Sequence, residues 1–271
     1  MSRPPHTYTA VATVVLILVV LCPVLFIVQM SLRTGLDAFQ MPPTFPSSVT
    51  LQNYVDLFEG KFVRSLVNSA VTSTSTTALA LLLGVPAAYA FSRARIRPTG
   101  LVSLWTLATR MAPAIAFGIP FFLIYKDLGL IDTRLGLIVI YLTFNLSLVI
   151  WMMRAFFDGL PRSLEEAAYI DGAGVVGAFL RITLPLAAPG LATTAIFTFL
   201  LSWNDFFYSL ILTRSAAVTA PVAIVNFMNY ESWEWGKVAA AATVIMLPVV
   251  ALSIVVRKYL VRGLTAGAVR G

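Results

Sequence analysis

Long apolar runs separated by short polar segments dominate the hydrophobic pattern of the chain. A membrane-spanning helix needs about 20 mostly apolar residues, and six stretches of this sequence provide them. They cover approximately 10–30, 66–91, 101–125, 135–156, 186–213 and 238–256. The pattern therefore predicts an all-α integral membrane protein, with six transmembrane helices forming a single domain over 1–271.

Composition supports lipid as the solvent of this chain. Hydrophobic residues make up 59% of it, charged residues only 11%, and the mean hydropathy is +0.87, whereas soluble domains carry about 25% charged residues. The net charge of +7 is spread among apolar segments, so nucleic acid is not an expected partner. A single Cys and a single His exclude an internal disulfide and predict no His- or Cys-based metal cluster.

The distribution of Lys and Arg gives an orientation. Eleven of the 19 cations fall on the termini and on the loops after the second and fourth spans, and seven fall on the other face. The positive-inside rule places the richer side in the cytoplasm, so both termini are expected there. The other face then carries a long loop, about 31–65, where Pro42, Pro43 and Pro46 discourage a long helix.

The segment GAGVVG, 172–177, matches the glycine pattern of dinucleotide-binding folds. Such a site needs a buried strand directly before the glycines. Here Ser163 and Glu166 have the spacing of a capping box, and Glu and Ala favour a helix. The glycines are therefore expected to follow a helix, and we reject the nucleotide interpretation. The chain also lacks an ATP-binding loop of its own, so neither a cofactor nor enzymatic activity is predicted.

The same segment carries a longer pattern: E-A-A, three residues, G, nine residues, then I-x-L-P. Glu166-Ala167-Ala168, Gly172 and Ile182-Thr183-Leu184-Pro185 meet every position of it. The pattern resembles the EAA motif of bacterial ABC importer permeases, and the I-D-G-A form at 170–173 is similar to their carbohydrate branch. W-N-D-F at 203–206 and the tail at 263–271 resemble the maltose-type second permease, so the resemblance extends over nearly the whole chain.

The resemblance implies a coupling helix within the loop at about 157–185, between spans four and five, that docks onto a separate ATPase. The implied partners are a second permease subunit in a heterodimer, two ATPase subunits that bind ATP and Mg, and an extracytoplasmic solute-binding protein. The implied location is the bacterial cytoplasmic (inner) membrane. The implied ATPase-coupling residues are Glu165, Glu166, Ala167, Ala168, Asp171, Gly172, Ala173, Ile182, Leu184 and Pro185.

The C-terminal tail at 257–271 is implied to be cytoplasmic and to reach toward the ATPase dimer interface through Thr265, Gly267 and Gly271. Its glycine-rich composition permits an extended conformation.

Charged residues at membrane depth are costly and usually functional. Arg110 and Asp205 fall within predicted spans. They either line a translocation path or serve structure, Arg110 as a cap near Pro113 and Asp205 in a polar contact between helices. The candidate residues of the path are Arg110, Asn145, Trp203, Asn204, Asp205 and Tyr208.

The expected function is ATP-driven import of a sugar, oligosaccharide or polyol. A permease for another solute, such as glycerol phosphate or a polyamine, is an alternative that the sequence leaves open. An ion-driven secondary carrier is a further alternative, but carriers of that class usually contain an internal repeat and more spans, and no clear repeat is visible here.

Overall fold

The computed structural model describes residues 6–33, 49–93, 113–228 and 234–268, which form helices and loops without a β-strand. In chain order the helices are α1 (His6–Ser31), α2 (Gln52–Glu59), α3 (Phe62–Arg93), α4 (Ala114–Asp127), α5 (Arg134–Asp158), α6 (Ser163–Ile170), α7 (Val175–Ala178), α8 (Leu184–Leu186), α9 (Ala188–Trp203), α10 (Phe207–Leu212), α11 (Ala220–Ala223) and α12 (Trp235–Ala268). A π-helical turn, Phe179–Thr183, joins α7 to α8, and a 3-10 turn, Ile224–Phe227, follows α11. The all-helical class predicted from the sequence is confirmed for the described residues.

Four helices are long and apolar enough to cross a membrane: Ala10–Ser31, Phe62–Arg93, Arg134–Asp158 and Trp235–Val256. A fifth candidate consists of Val175–Leu186 and Ala188–Trp203, which meet at an angle of 76°. These counts apply to the described residues; the first half of the predicted third span, 101–112, lies outside them.

Two predicted segments differ in detail from the helices observed. The predicted span 186–213 is interrupted, because α9 ends at Trp203 and α10 begins at Phe207. The tail from 257, whose composition permits an extended conformation, is helical as far as Ala268, since α12 continues through it. Thr265 and Gly267 therefore lie on a helix, and Gly271 lies outside the described residues.

The chain divides into two compact units, Met1–Ser65 with Ala220–Leu247, and Leu66–Thr219 with Pro248–Gly271. In the first unit, α2 is fixed to the end of α1. The Asn53 amide donates to the carbonyl oxygens of Ser31 and Arg33 at 2.9 and 2.8 Å. This short helix lies within the 31–65 segment where prolines discouraged a long one.

Helix α3 is apolar on its exposed side, whereas the first half of its buried side is polar. Val67, Val71 and Leu82 are exposed, and Leu82 keeps 69% of its accessible surface. The buried side carries small polar residues at helical spacing, namely Asn68, Ser69, Thr72, Ser73 and Thr76. Water would disfavour this distribution, whereas helices packed within lipid use small and polar residues at their interfaces.

Close helix approach in the second unit depends on two glycines. A Cβ on Gly84 of α3 would lie 2.7 Å from Cγ1 of Val149 on α5, and a Cβ on Gly190 of α9 would collide with the Phe156 ring. These positions let α3 and α9 pack directly against α5, whose end leads into α6.

Candidate functional site

The segment from α6 to α8 presents an exposed apolar face. Ile170 keeps 87% of its accessible surface, and Val175, Val176 and Leu180 keep 61%, 69% and 53%. Glu166 on the same segment is also exposed. Exposed apolar side chains concentrated on one short segment beside a charged one are typical of a surface that binds another protein.

Helix α6 ends in a Schellman motif. Gly172 has a φ of +83°, the N–H of Ala173 donates to the carbonyl of Ala168 at 2.9 Å, and that of Gly172 donates to the carbonyl of Tyr169 at 3.1 Å. Only glycine adopts such a φ without a steric penalty. The glycine of the E-A-A-x-x-x-G pattern is thus the residue that stops α6 and turns the chain toward α7.

The predicted capping box at the start of α6 is wrong. Arg162 occupies the N-cap position with helical dihedrals, φ −66° and ψ −27°, and α6 has no side-chain cap. Ser163 is already within the helix, so its hydroxyl lies one residue too late to cap it. Helix formation at this position, which the capping box was used to argue, is nevertheless observed.

Glu165 points into the protein and is 4% exposed. Its carboxylate accepts hydrogen bonds from Nε of Arg93 at 2.8 and 3.0 Å, the Tyr89 hydroxyl at 3.0 Å and the Thr183 hydroxyl at 2.9 Å. Nη2 of Arg93 lies 2.7 Å from Oε1, which completes a two-pronged ion pair. Glu165 is therefore tied to α3 and to the π-helical turn.

Burial alone would raise the pKa of the Glu165 carboxyl. The hydrogen bonds from Arg93, Thr183 and Tyr89, together with the charge of Arg93, outweigh that effect and lower the pKa below its usual value. Glu165 is consequently an ionised group whose charge is balanced inside the protein.

The expected coupling residues fall into three classes of exposure. Glu166, Ala167, Asp171, Gly172 and Pro185 are exposed; Ala173, Ile182 and Leu184 are partly buried; Glu165 and Ala168 are buried. The E-A-A pattern therefore describes two faces of one helix, because its last alanine packs inward while the first two residues face outward.

Three of the candidate path residues contact neighbouring side chains in the second unit. Asn145 donates to the Ser202 hydroxyl at 2.8 Å, and Trp203 stacks on Phe199 with ring centroids 5.6 Å apart. Tyr208 stacks on Phe144 at 5.0 Å. Asn204 is exposed, and Arg110 lies outside the described residues.

Asp205 occupies the break between α9 and α10. One carboxylate oxygen accepts from the Tyr141 hydroxyl at 2.9 Å and from the backbone N–H of Ser209 at 3.1 Å. Asp205 thus makes a polar contact with α5, the helix that carries Tyr141, and its place on a translocation path stays a prediction.

Sequence reasoning missed a second anchor at the opposite end of α5. Asp132, with a φ of +58°, accepts hydrogen bonds from the backbone N–H groups of four consecutive residues, 214–217, at 2.9–3.1 Å. Burial alone would raise the pKa of Asp132, but these four donors lower it to about 2. A local hint was an Asp-Thr pair directly before a long apolar helix; Thr133 indeed caps α5 by accepting from the N–H of Gly136.

Asn68 holds the same loop from α3. Its amide donates to the carbonyls of Ala216 and Val218 at 3.0 and 2.9 Å, and its oxygen accepts from Nε of Arg134 at 2.7 Å.

Within the described residues, no group of three or more His, Cys, Asp or Glu side chains is placed to hold a metal ion.

Comparison with known proteins agrees with this arrangement of helices. Residues 80–266 match the family described as "binding-protein-dependent transport system inner membrane component". The chain belongs to this family and is a multi-pass inner-membrane permease of the sugar ABC importer type.

Two relatives that match most of the chain are named as sugar permeases. The trehalose transport system permease protein SugB of Mycobacterium tuberculosis is 41% identical, with 98% of each chain covered. The trehalose/maltose transport system permease protein MalG of Thermococcus litoralis is 34% identical over 86% of this chain and 88% of its own. A solved bacterial ABC transporter involved in import of the polysaccharide alginate matches with a TM-score of 0.77 and 28% identity, covering 96% of this chain and 98% of its own.

Proposed function

We propose that this chain is the membrane-spanning subunit of an ATP-driven importer for a small carbohydrate, and that it receives the energy of ATP hydrolysis through α6 and α7. Hydrolysis itself takes place on a partner ATPase that binds ATP and Mg. The relatives' names support a disaccharide as the cargo, and trehalose and maltose are the first probes to use.

The observation that carries the proposal is the exposed apolar face formed by Ile170, Val175, Val176 and Leu180. Its underside is held rigidly by buried Glu165, so the face can transmit force as well as bind. A groove on an ATPase subunit would cover these apolar side chains, and Glu166 would meet cations at its rim.

The proposed assembly contains a second permease, two ATPase subunits and an extracytoplasmic solute-binding protein. In it the chain crosses the membrane six times, with both termini in the cytoplasm and α6 serving as the coupling helix. The helical end of α12 then lies on the same side as α6, where Thr265 and Gly267 are within the tail that extends toward the ATPase pair.

The test is co-purification of the ATPase with the permease from membranes, followed by ATP-dependent uptake of trehalose or maltose. Ile170→Ser is expected to reduce the recovered ATPase at least about fivefold, since loss of a central apolar anchor at an interface costs about 1–2 kcal/mol or more. Leu128→Ser is the matched control, because Leu128 is an exposed apolar residue (65%) that follows α4.

Equal recovery of ATPase with Ile170→Ser and with the control would contradict docking through α6 and α7. Uptake of glycerol phosphate or a polyamine, but of neither sugar, would support ATP-driven import and contradict a carbohydrate substrate.

A further inference from the structure

We infer that Arg93 and Glu165 form an internal latch that makes α6, the end of α3 and the π-helical turn move as one body. This inference rests on the proposed function, and it gives Glu165 a positioning role in place of the ATPase contact implied by the sequence motif. Neighbouring Glu166 remains the carboxylate available to a partner.

Four elements converge on this pair. Arg93 and Tyr89 belong to α3, Glu165 to α6 and Thr183 to the π-helical turn. Nη1 of Arg93 also donates to the carbonyl of Phe157 at the end of α5, at 3.0 Å. A displacement of α6 relative to any of these elements would therefore break charge-assisted hydrogen bonds.

Aromatic packing surrounds the latch and restricts water. The Tyr89 ring lies 5.7 Å from that of Phe157 and 4.7 Å from that of Phe179, between ring centroids. A separated buried ion pair leaves two uncompensated charges in a medium of low dielectric, which is costly. The low-energy response to a pull on α6 is thus joint movement with α3, the helix that carries Arg93 at its end.

The two adjacent carboxylates, Glu165 and Glu166, have different roles in this proposal. The apolar residues and Glu166 set how tightly the ATPase is held, and Glu165 sets how much of its motion reaches α3. Loss of the latch is therefore expected to separate ATP hydrolysis from transport without loss of ATPase binding.

The experiment uses the full permease–ATPase–binding-protein complex in proteoliposomes and measures ATP hydrolysed per sugar transported. Glu165→Gln keeps the shape but removes the charge, and we expect at least about a fivefold rise in this ratio, the lower end of typical coupling between sites. ATPase recovery should stay at the wild-type level. Asp127→Asn is the matched control, since Asp127 is an exposed carboxylate at the end of α4, a helix that does not contribute to the latch.

A covalent replacement tests the mechanical role directly. The chain has one native cysteine, Cys22, so Cys22→Ser with Arg93→Cys and Glu165→Cys gives a defined pair of thiols, used with cysteine-free partners. We expect this variant to be uncoupled when reduced and to regain most of its coupling after bridging by a bifunctional thiol reagent.

Two results would overturn the latch: a wild-type ATP-to-sugar ratio with Glu165→Gln, or a bridged thiol pair that stays uncoupled. Loss of ATPase recovery with Glu165→Gln, as large as with Glu166→Gln, would make Glu165 a contact residue and also contradict the latch. Failure of the wild-type permease to bind any ATPase is a different result, and it would remove the proposed function itself.

Discussion

Arg93 and Glu165 lie 72 residues apart in the sequence and meet in a two-pronged ion pair, with Nη2 and Oε1 separated by 2.7 Å. Their side chains keep only 14% and 5% of their accessible surface. The pair joins the end of a membrane-spanning helix to the exposed segment through which we propose that the ATPase acts.

Removal of the cation should therefore destabilise the protein strongly. We expect Arg93→Met to lower the free energy of unfolding by about 3 kcal/mol, because it leaves the buried carboxylate of Glu165 unpaired. Glu166→Ala, on the exposed side of the same helix, should change it by less than about 0.5 kcal/mol. Denaturant-induced unfolding in detergent measures both, and similar values for the two variants would contradict a buried pair.

Two glycines of the same segment should respond oppositely to alanine. Gly172→Ala places a Cβ at a φ of +83° and should cost about 1–2 kcal/mol. Gly177→Ala lies within α7, where the new Cβ meets Ala173 at an ordinary 3.6 Å, and should be neutral or stabilising by up to about 1 kcal/mol. Thermal unfolding distinguishes the two, and unchanged stability with Gly172→Ala would contradict the Schellman assignment.

Asp132 should make stability depend on acidity. Its pKa is about 2 in the folded protein against an ordinary 3.8, so the stability it contributes is complete above about pH 4 and is lost as the pH falls toward 2. Asp132→Asn should lower the melting temperature at pH 6, and its difference from wild type should shrink between pH 4 and pH 2. The exposed Asp127→Asn is the control; a constant difference across this range would argue against the carboxylate–amide contact.

The contact between Tyr141 and Asp205 should be structural. We expect Tyr141→Phe to lower the free energy of unfolding by about 1 kcal/mol, since it removes a largely buried hydrogen bond, and to leave the KM for sugar unchanged. An Asp205→Asn variant should resemble it in both respects. A selective change in KM with wild-type stability would instead support a path role for Asp205.

The helical class and the EAA segment could be predicted because both are encoded locally. Apolar runs of span length need no tertiary information, and the position of Gly172 after E-A-A follows from where a helix must stop. The orientation of the two adjacent carboxylates could not be predicted, because Glu165 and Glu166 are equivalent in composition and differ only in which one meets Arg93.

Long-range contacts explain the other differences. Asp132 gives little local signal of its partners at 214–217, more than 80 residues further along the chain. The interruption after Trp203 follows from the contacts of Asp205, which ends an apolar run that otherwise has the length of a span. Arg162 is the N-cap residue of α6 and has helical dihedrals. Ser163 therefore lies inside the helix, and its spacing to Glu166 matches a capping box that does not form.

The most direct test of the central claim is sugar accumulation in proteoliposomes that contain the purified complex and its binding protein. We expect labelled trehalose or maltose to accumulate only when the ATPase is supplied with ATP and Mg, and accumulation to fall with Ile170→Ser. Accumulation that continues without ATP, and that collapses when an ion gradient is dissipated, would contradict the account.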